Sequence, residues 1–251
     1  MSRLVTGTLA MSFLAIFGGV ASAADGPKDI LIKAIKAHGG EEVLTKYLAS
    51  QSKNKGKLTL DGIGEVEFTQ ETAVMMPDKF KETLEVTVMG QKVNVVTLVS
   101  GDKISIERNG MDVPISDQVK AAMKEAQHRI KVARMVAPVK EKGYELSAAG
   151  EIKVEDKLAV GVRVSAKGYK DVTLYFDKTT GLLAKFEGQT VDASTGNDIM
   201  EERFVLEYQK NNLGIPSPKK ILVKRDGKTF MEAEITEPKM LEKLEDSVFS
   251  K

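Results

Sequence analysis

The sequence predicts a mainly β fold: a single antiparallel, strongly curved half-barrel of about eleven strands, with N-terminal and mid-chain α-helices covering the concave face. Apolar and polar residues alternate with a period of two over most of the chain after Lys55, which is typical of half-buried strands. Turn-forming pairs such as Asp61-Gly62 and Asn109-Gly110 separate these runs at short intervals, as in sequential hairpins. Helical periodicity is confined to short stretches, so the helices should form a partial cover over a sheet.

The first 23 residues have the features of a secretory signal peptide. Arg3 supplies a positive charge, residues 4–20 are apolar and uncharged, and Ala21-Ser22-Ala23 is a small-residue cleavage site. We therefore expect cleavage after Ala23, which leaves residues 24–251 as the mature chain in the periplasm or outside the cell. The alternative is an uncleaved N-terminal anchor.

Charge and cysteine content narrow the class of protein. The chain has 37 basic and 36 acidic residues, and removal of Arg3 with the leader makes the two counts equal. A net charge near zero argues against nucleic acid or an acidic surface as the main partner. Because the sequence has no cysteine, it can form no disulfide and cannot be a lipoprotein modified at an N-terminal cysteine.

Helical patterns open the mature chain. Pro27 suits the first turn of a helix, Gly39-Gly40 ends it, and residues 41–48 form a shorter helical piece. The first helix has one apolar stripe, made of Ile30, Leu31, Ala34 and Ile35.

A longer amphipathic helix interrupts the strands in the middle of the chain. Ser116 is the expected N-cap and Pro138 the expected end. Because its apolar residues recur at helical spacing, the helix should lie on an apolar surface. That face is made of Val119, Met123, Ala126 and Ile130.

The width of the sheet predicts a hollow on its apolar face. Eleven strands about 4.8 Å apart make a flat sheet roughly 50 Å wide, whereas a helix is only about 10 Å across. A few helices cannot cover such a face, so the sheet should curl into a half-barrel with a residual apolar cavity. The candidate ligand-binding residues of this cavity are Phe68, Leu84, Val86, Val88, Val164, Leu174, Phe176, Phe186, Phe204 and Leu206 on the strands, with Met123 and Ile130 on the mid-chain helix.

The methionines allow two interpretations. A flexible thioether side chain suits an adaptable ligand cavity, but it also serves as ordinary core filler, which is the more common case. The residues concerned are Met75, Met76, Met89, Met123, Met200 and Met231.

Residue types that carry catalysis or hold metals are scarce. The sequence has two histidines, no cysteine, and no nucleophile-elbow, zinc-protease, phosphate-loop or EF-hand motif. We therefore expect no metal, no cofactor and no catalytic residue. His38 should act as a cation at the C-terminus of the first helix, and His128 should face solvent.

Charged residues inside the strands are expected to face water. Alternation places Glu202 on the same face as Phe204, where a rim position in water is favoured over a general acid. Arg163 and Arg203 should be surface charges on the opposite faces of their strands.

Three stretches, together with the order of elements, resemble the LolA/LolB-like superfamily of periplasmic lipoprotein-sorting factors. They are LYFDKTTGLLAKFEGQ (174–189), FVLEYQKNNLGIPSPKKILV (204–223) and MEAEITEPKMLEKLEDSVF (231–249). The first is similar to the family's D-x-x-T-G-L-L hairpin. The resemblance implies that residues 24–251 form a LolA-like half-barrel domain. It also implies architectural roles for Asp177, Thr180, Gly181, Tyr208, Gly214 and Pro218.

The same resemblance implies a function. In that family the half-barrel takes the acyl chains of lipoproteins or other lipids. We therefore expect an exported, monomeric carrier that binds such chains non-covalently, with envelope membrane proteins as donor or acceptor. One alternative is a cell-envelope regulatory or scaffold module of the same fold that senses a partner protein. Another is a cofactor-free enzyme housed in the cavity.

Overall fold

The computed structural model describes residues 25–192 and 196–250. This part of the chain forms a mainly β structure with one open antiparallel sheet and helices at the N-terminus and in the middle. The predicted fold class is confirmed. The predicted signal peptide, residues 1–23, lies outside the described residues.

The α-helices of the described chain occupy two places. Two lie at the N-terminus, two interrupt the strands, and a short 3-10 helix, Asp246–Phe249, lies near the C-terminus. The α-helices are α1 (Pro27–Ala37), α2 (Glu41–Lys46), α3 (Asp117–Ala133) and α4 (Val136–Lys140).

The described residues contain fourteen strands, against about eleven expected from the alternating runs. They are β1 (Ala49–Leu60), β2 (Gly64–Met75), β3 (Lys79–Val88), β4 (Gln91–Ser100), β5 (Lys103–Arg108), β6 (Met111–Asp112), β7 (Tyr144–Val154), β8 (Lys157–Ala166), β9 (Val172–Asp177), β10 (Leu183–Val191), β11 (Asp198–Lys210), β12 (Pro216–Arg225), β13 (Lys228–Ile235) and β14 (Lys239–Leu241). Strands β6 and β14 have two and three residues, which is too short for an alternating pattern to reveal.

Two meanders joined side by side make up the sheet. The strand order is β6-β5-β4-β3-β2-β1-β13-β12-β11-β10-β9-β8-β7, and β14 pairs with β1 outside this path. The β1–β13 pairing, from Asn54–Ile235 to Leu58–Met231, connects the halves. This is the predicted single sheet in two halves.

The contacts of α3 show that the sheet is strongly curved. Gln127 Nε2 donates to the carbonyl of Asp78 between β2 and β3 at 3.2 Å, and the next residue, His128, stacks on Tyr144 of β7 at 5.9 Å. In a flat sheet β2 and β7 would be about 40 Å apart at about 4.8 Å per strand. The sheet therefore curls until one turn of α3 reaches both regions.

Helix α1 packs on the second half of the sheet, as its apolar stripe predicts. Pro27 begins the helix, the chain turns at Gly39-Gly40, and the four stripe residues are buried. They share one core cluster with Val162, Val164, Leu174 and Phe176 of β8 and β9. Burial of Ile30, Leu31 and Ile35, each stabilising the fold by about 1.5–3 kcal/mol, holds α1 on the sheet.

Helix α3 begins as predicted but ends earlier. Ser116 Oγ accepts a hydrogen bond from the Val119 N–H at 3.3 Å. The helix ends at Ala133 and not at Pro138, because Met135 takes a positive φ of 65°. Pro138 lies in the first turn of α4, where its missing N–H costs no helical hydrogen bond.

The C-terminal segment covers part of the other side of the sheet. Phe249 of the 3-10 helix and Leu244 are buried in a cluster with Ala49 and Ala73, and Leu98 of β4 packs against it. This cover explains why the run Val93–Val99 is apolar on both faces: β4 contacts an apolar cluster on each side.

The hairpin between β9 and β10 has the expected turn chemistry. Asp177 Oδ1 accepts from the backbone N–H groups of Thr179 and Thr180 at 2.9 and 2.7 Å, and Gly181 takes a φ of 72°. Burial raises the pKa of the Asp177 carboxyl, but these hydrogen bonds outweigh burial and lower the pKa overall. Tyr208, another position singled out by the resemblance, donates to the Leu183 carbonyl at 2.8 Å.

Candidate ligand-binding surface on the inner face

The candidate site lies on the face of the sheet that α1 and α3 cover, which we call the inner face. The register defines it, because directly paired residues of antiparallel strands point to the same side. One such row crosses seven strands: Leu58, Met231, Val223, Arg203, Phe186, Leu174 and Val162. Along this face an apolar core under the helices is followed by a charged cluster and then by an open apolar pocket.

Four of the predicted cavity residues lie in the covered part of the inner face. Val164, Leu174 and Phe176 are at most 1% exposed, and Phe186 packs against the same cluster. The side chains of α1, with Leu44 of α2, fill the space in front of them. The structure therefore places these residues in a sealed core, in contact with helices.

The two predicted residues of α3, Met123 and Ile130, are half-buried. This helix packs over β9 and β10, so its apolar face is directed at the sheet as predicted. Its most buried residues are Ala122, His128 and Val132, which lie partly beside the predicted stripe.

An open apolar pocket of about 560 Å³ occupies the inner face of the first half of the sheet. A volume of this size is typical of small-molecule sites. The predicted residues Val86 and Val88 line it, and the predicted residues Phe68 and Leu84 belong to the same apolar cluster. The full lining is Leu60, Ile63, Val86, Val88, Met89, Gln91, Val93, Val95, Ile106, Arg108 and Val113.

Exposed apolar side chains surround the mouth of this pocket. Met89, at the tip of the β3–β4 hairpin, is 87% exposed, and Ile63, in the β1–β2 turn, is 45% exposed. Val113 and Met111, just beyond β5, are exposed as well. Such a concentration of solvent-facing apolar residues marks an interaction surface more often than an inert one.

Between the core and the pocket lies a cluster of three arginines around the Glu201 carboxylate, which we call the arginine cluster. Asp192 Oδ2 also lies 3.5 Å from Arg225 Nη1. Glu201 Oε1 is 3.2 Å from Arg129 Nη1 and 3.8 Å from an Arg203 Nη atom, and Glu201 Oε2 is 3.3 Å from Arg225 Nε. The Glu201 side chain is only 6% exposed. Burial alone raises its pKa, but the three guanidinium groups outweigh burial and hold the pKa below its usual range.

The position of Arg203 differs from the sequence prediction. It pairs directly with Phe186 and Val223, so it lies on the inner face and is not a surface charge of the outer side. Burial lowers its pKa, yet 38% of its side chain remains accessible. Arg203 therefore lies on the inner face with part of its side chain accessible to solvent. Arg163, by contrast, is exposed on the outer side as predicted.

A row of three hydrogen-bonded polar side chains crosses β1, β2 and β3 on the inner face. Asn54 donates to Gln70 at 2.5 Å, and Gln70 donates to the Glu82 carboxylate at 2.7 Å. Burial raises the pKa of Glu82, while Gln70 and the charge of Arg203 oppose that rise. Since β3 and β11 are five positions apart in the strand order, the influence of Arg203 on Glu82 is a further sign of curvature.

Two predicted cavity residues, Phe204 and Leu206, lie elsewhere. Phe204 pairs with Lys185 and Leu222 and packs with Tyr175 in a cluster on the outer face. Leu206 is 39% exposed and borders a groove on the outer side. On this part of β11 the odd-numbered residues face inward. The prediction that Phe204 and Leu206 face inward is wrong.

Glu202 shares a face with Phe204, as predicted, but this face is the outer one, and Glu202 is not a free rim carboxylate. Lys185 Nζ lies 2.5 Å from both Glu202 and Glu187, and Tyr175 donates to Glu187 at 3.2 Å. Burial alone would lower the pKa of Lys185, but the two carboxylates outweigh burial and raise the pKa overall. The pair Lys185–Glu202 is thus a stabilising outer-face contact.

His38 caps α1, but not as a cation. Its ring Nδ1 lies 2.8 Å from the Ala34 carbonyl, and its Nε2 lies 3.5 Å from the Tyr208 hydroxyl. Burial lowers the pKa of His38, although the contact with Ala34 opposes this. The capping position is confirmed, whereas the neutral ring is favoured over the charged one.

His128 is buried, whereas the sequence predicts that it faces solvent. Its ring stacks on Tyr169 at 3.8 Å and on Tyr144 at 5.9 Å, and burial, together with the charge of Lys131, lowers its pKa. The sequence neighbours of His128 are charged and do not indicate this position, because the two tyrosines come from the β8–β9 connection and the start of β7.

Two kinds of feature are absent from the described residues. Within residues 25–192 and 196–250, no group of three or more histidine, aspartate or glutamate side chains is arranged to hold a metal ion. In the same ranges no helix has the length and apolar character needed to cross a membrane.

Comparison with solved structures identifies the fold. A LolA superfamily protein from Nitrosomonas europaea matches with a TM-score of 0.55 and 13% sequence identity, over 91% of this chain and 99% of that chain. A DUF1329 family protein from Desulfovibrio piger matches with a TM-score of 0.57 and 13% identity, over 90% and 98% of the two chains. No family sequence model and no curated protein matches the sequence. The resemblance predicted from the sequence is confirmed at the level of the fold.

Proposed function

We propose that this protein is an exported carrier that binds a lipid or the acyl chains of a lipoprotein, non-covalently, on the inner face of its half-barrel. The observation that carries this proposal is the open apolar pocket lined by Val86, Val88 and Val93. The helices seal the other half of the inner face but leave this half uncovered. An apolar surface of this kind gains free energy when an acyl chain covers it, by about 25 cal/mol per Å².

The shared fold supports the proposal. One of the matching structures is of a LolA superfamily protein, and that superfamily is the one in which the sequence resemblance implies lipoprotein sorting. The leader predicted in residues 1–23 would bring the protein to the periplasm or to the outside of the cell. There, envelope membrane proteins or the membrane itself would serve as donor and acceptor.

The pocket has no catalytic role in this function. Its lining is aliphatic apart from Gln91 and Arg108, and an aliphatic wall supplies neither a general base nor a nucleophile. Glu202, the carboxylate that would revive an enzymatic role, is paired with Lys185 on the outer face. Substitution Glu202→Gln should leave ligand binding unchanged.

A second candidate function uses the exposed rim. Met89 and Ile63 would also suit a regulatory or scaffold module that binds a partner protein through apolar contacts. This candidate predicts a stable protein complex formed by lipid-free protein, without any need for an acyl ligand.

Substitution Val88→Asp tests the carrier function. The carboxylate would face the pocket, where an acyl chain would remove it from water, so binding of a neutral pyrene-labelled acyl ester should weaken at least about tenfold. Fluorescence titration of lipid-free protein measures this change.

The matched control is Thr87→Asp, which places the same charge one residue away on the exposed outer face. This variant should bind the ester like the wild type. Equal loss in both variants, or no saturable binding by the wild type, would contradict the carrier function.

A further inference from the structure

The arginine cluster leaves some of its guanidinium donors unpaired, although Asp192 lies 3.5 Å from Arg225 Nη1 and the charge of Glu82 acts on Arg203. Glu201 Oε2 already accepts a hydrogen bond from Arg225 Nε at 3.3 Å. Arg129 Nη1 lies 3.2 Å from Oε1, but the contact does not have the geometry of a hydrogen bond. Two further cations, Arg129 and Arg203, thus converge on one shared carboxylate oxygen.

Several guanidinium donors in this cluster have no acceptor. Arg129 Nε and Nη1 and Arg203 Nε are buried and make no hydrogen bond to the described protein. Buried polar groups without partners are rare, because each loses hydration that nothing replaces. The Arg129 side chain is only 12% exposed, so bulk water compensates little. Within residues 25–192 and 196–250 nothing accepts from these donors, so they are free to donate to a bound ligand.

Planar guanidinium groups have a strong preference for oxyanions. Carboxylates and phosphates accept two parallel N–H bonds from one arginine, and such charge-assisted bonds are short and strong. Arg203 lies on the inner face, and 38% of its side chain is accessible to solvent. An oxyanion that reaches this side chain from solvent could accept from Arg129 and Arg203 together.

The cluster adjoins the apolar pocket. Arg225 stacks on the Phe230 ring at 3.5 Å, and Phe230 packs in the same apolar cluster as Leu60, Val86, Val88 and Val93 of the pocket wall. On the far side Arg203 lies over Phe186 at 5.3 Å, at the border of the sealed core. A charged site and an apolar pocket are thus neighbours on one continuous face.

We propose that the arginine cluster binds the oxyanion of an anionic amphiphile, a carboxylate or a phosphate attached to the acyl chain that occupies the pocket. This inference rests on the carrier function and specifies its ligand class: the cargo carries a negative head next to its chain. Arg129 and Arg203 bind the head, and Arg225 holds Glu201 in place between them.

Competition with neutral and charged ligands of one chain length tests the ligand class. Dodecyl phosphate, dodecanoate and dodecanol would each displace the neutral pyrene-labelled acyl ester from wild-type protein, below their aggregation concentrations. We expect at least one of the two anions to displace it at a concentration at least about tenfold lower than dodecanol, since hydrogen bonds to charged groups are worth that factor or more. A preference for dodecyl phosphate indicates a phosphate head, and a preference for dodecanoate indicates a carboxylate head.

Arginine variants show which residues cause the preference for an anionic ligand. Arg129→Gln and Arg203→Gln should each reduce the advantage of the anion over dodecanol and leave dodecanol itself unaffected. Arg163→Gln, which removes the same charge from an exposed outer-face position, should keep the full advantage. Thermal unfolding of each variant verifies that it is folded.

The outcomes separate the two proposals. If wild-type protein binds the neutral ester but shows no preference between dodecanol and either anion, the anionic head is wrong and the carrier function stands. If the ester does not bind, the carrier function fails first. If neither arginine variant folds, the comparison of dodecanol with the two anions on wild-type protein still shows whether the protein prefers an anionic head. An anion preference that Arg163→Gln abolishes as fully as Arg129→Gln would place the site outside the cluster and overturn it.

Discussion

Substitution Gly56→Ala is expected to destabilise the protein by about 3 kcal/mol or more, because it forces apart the pairing that joins the two halves of the sheet. Gly56 is the middle of the five paired positions between β1 and β13, opposite Ala233. A Cβ atom at this position would lie 1.9 Å from the Glu232 carbonyl oxygen and 2.9 Å from the Ala233 Cα. Both are backbone atoms, so no side-chain rotation relieves the clash.

Urea denaturation of the two proteins measures this effect. Lys55→Ala is the control, since Lys55 is the adjacent residue of β1, largely exposed, and its loss should change the free energy of unfolding by no more than about 0.5 kcal/mol. If Gly56→Ala unfolds within about 1 kcal/mol of the wild type, the close approach of β1 and β13 is wrong.

Substitution Phe176→Ala is expected to cost about 3–5 kcal/mol of stability. Phe176 is 1% exposed and is among the largest fully buried side chains of the described residues. It packs under α1 with Leu31 and Leu174, so its removal leaves a cavity that the surrounding helices and strands fill only in part. If this region were an open ligand cavity, as the sequence suggests, the loss would be much smaller.

The comparison variant is Val88→Ala, at the half-buried pocket wall, where we expect a loss of about 1 kcal/mol or less. Chemical denaturation of both variants in the absence of lipid measures the difference. Similar losses for the two positions would mean that sealed core and open pocket have been assigned to the wrong halves of the inner face.

The sequence predicts the scaffold well because the scaffold depends on local patterns. The stripe of α1, the cap at Ser116 and the turn at Asp177–Gly181 each follow from residues within a few positions of one another. Helix α3 ends before Pro138 because Met135 takes a left-handed conformation, which no residue type at that position signals.

The faces of individual strands are harder to predict, because a shift of one residue exchanges them. In β11 both faces hold apolar and charged residues: Val205 lies inside, and Phe204 lies outside. Alternation with the apolar residues Phe204 and Leu206 predicts an outer position for Arg203, although its pairing with Phe186 and Val223 places it inside. Which face each residue of such a strand occupies depends on its partners in the neighbouring strands, and the sequence alone does not give those partners.

The division of the inner face into sealed and open halves is a property of tertiary packing. Phe176 and Val88 both occupy alternating strand positions of similar apolar character. One is covered because α1 and α2 fold back on β8 and β9, and the other is open because no helix of the described chain reaches β3 and β4 there. Likewise the arginine cluster unites residues of α3, β11 and β12 that are up to 96 positions apart in the chain.

The position of a bound acyl chain can be read from methyl NMR spectra of protein with labelled valine and leucine side chains. A neutral stearate ester with a nitroxide on its chain broadens the methyl signals nearest to it. We expect the strongest broadening at Val86, Val88, Val93 and Val95, which line the pocket, and the weakest at Val162 and Leu174, which lie under the helices. Strongest broadening at Val162 and Leu174, or none at any methyl group, would contradict binding in the open half of the inner face.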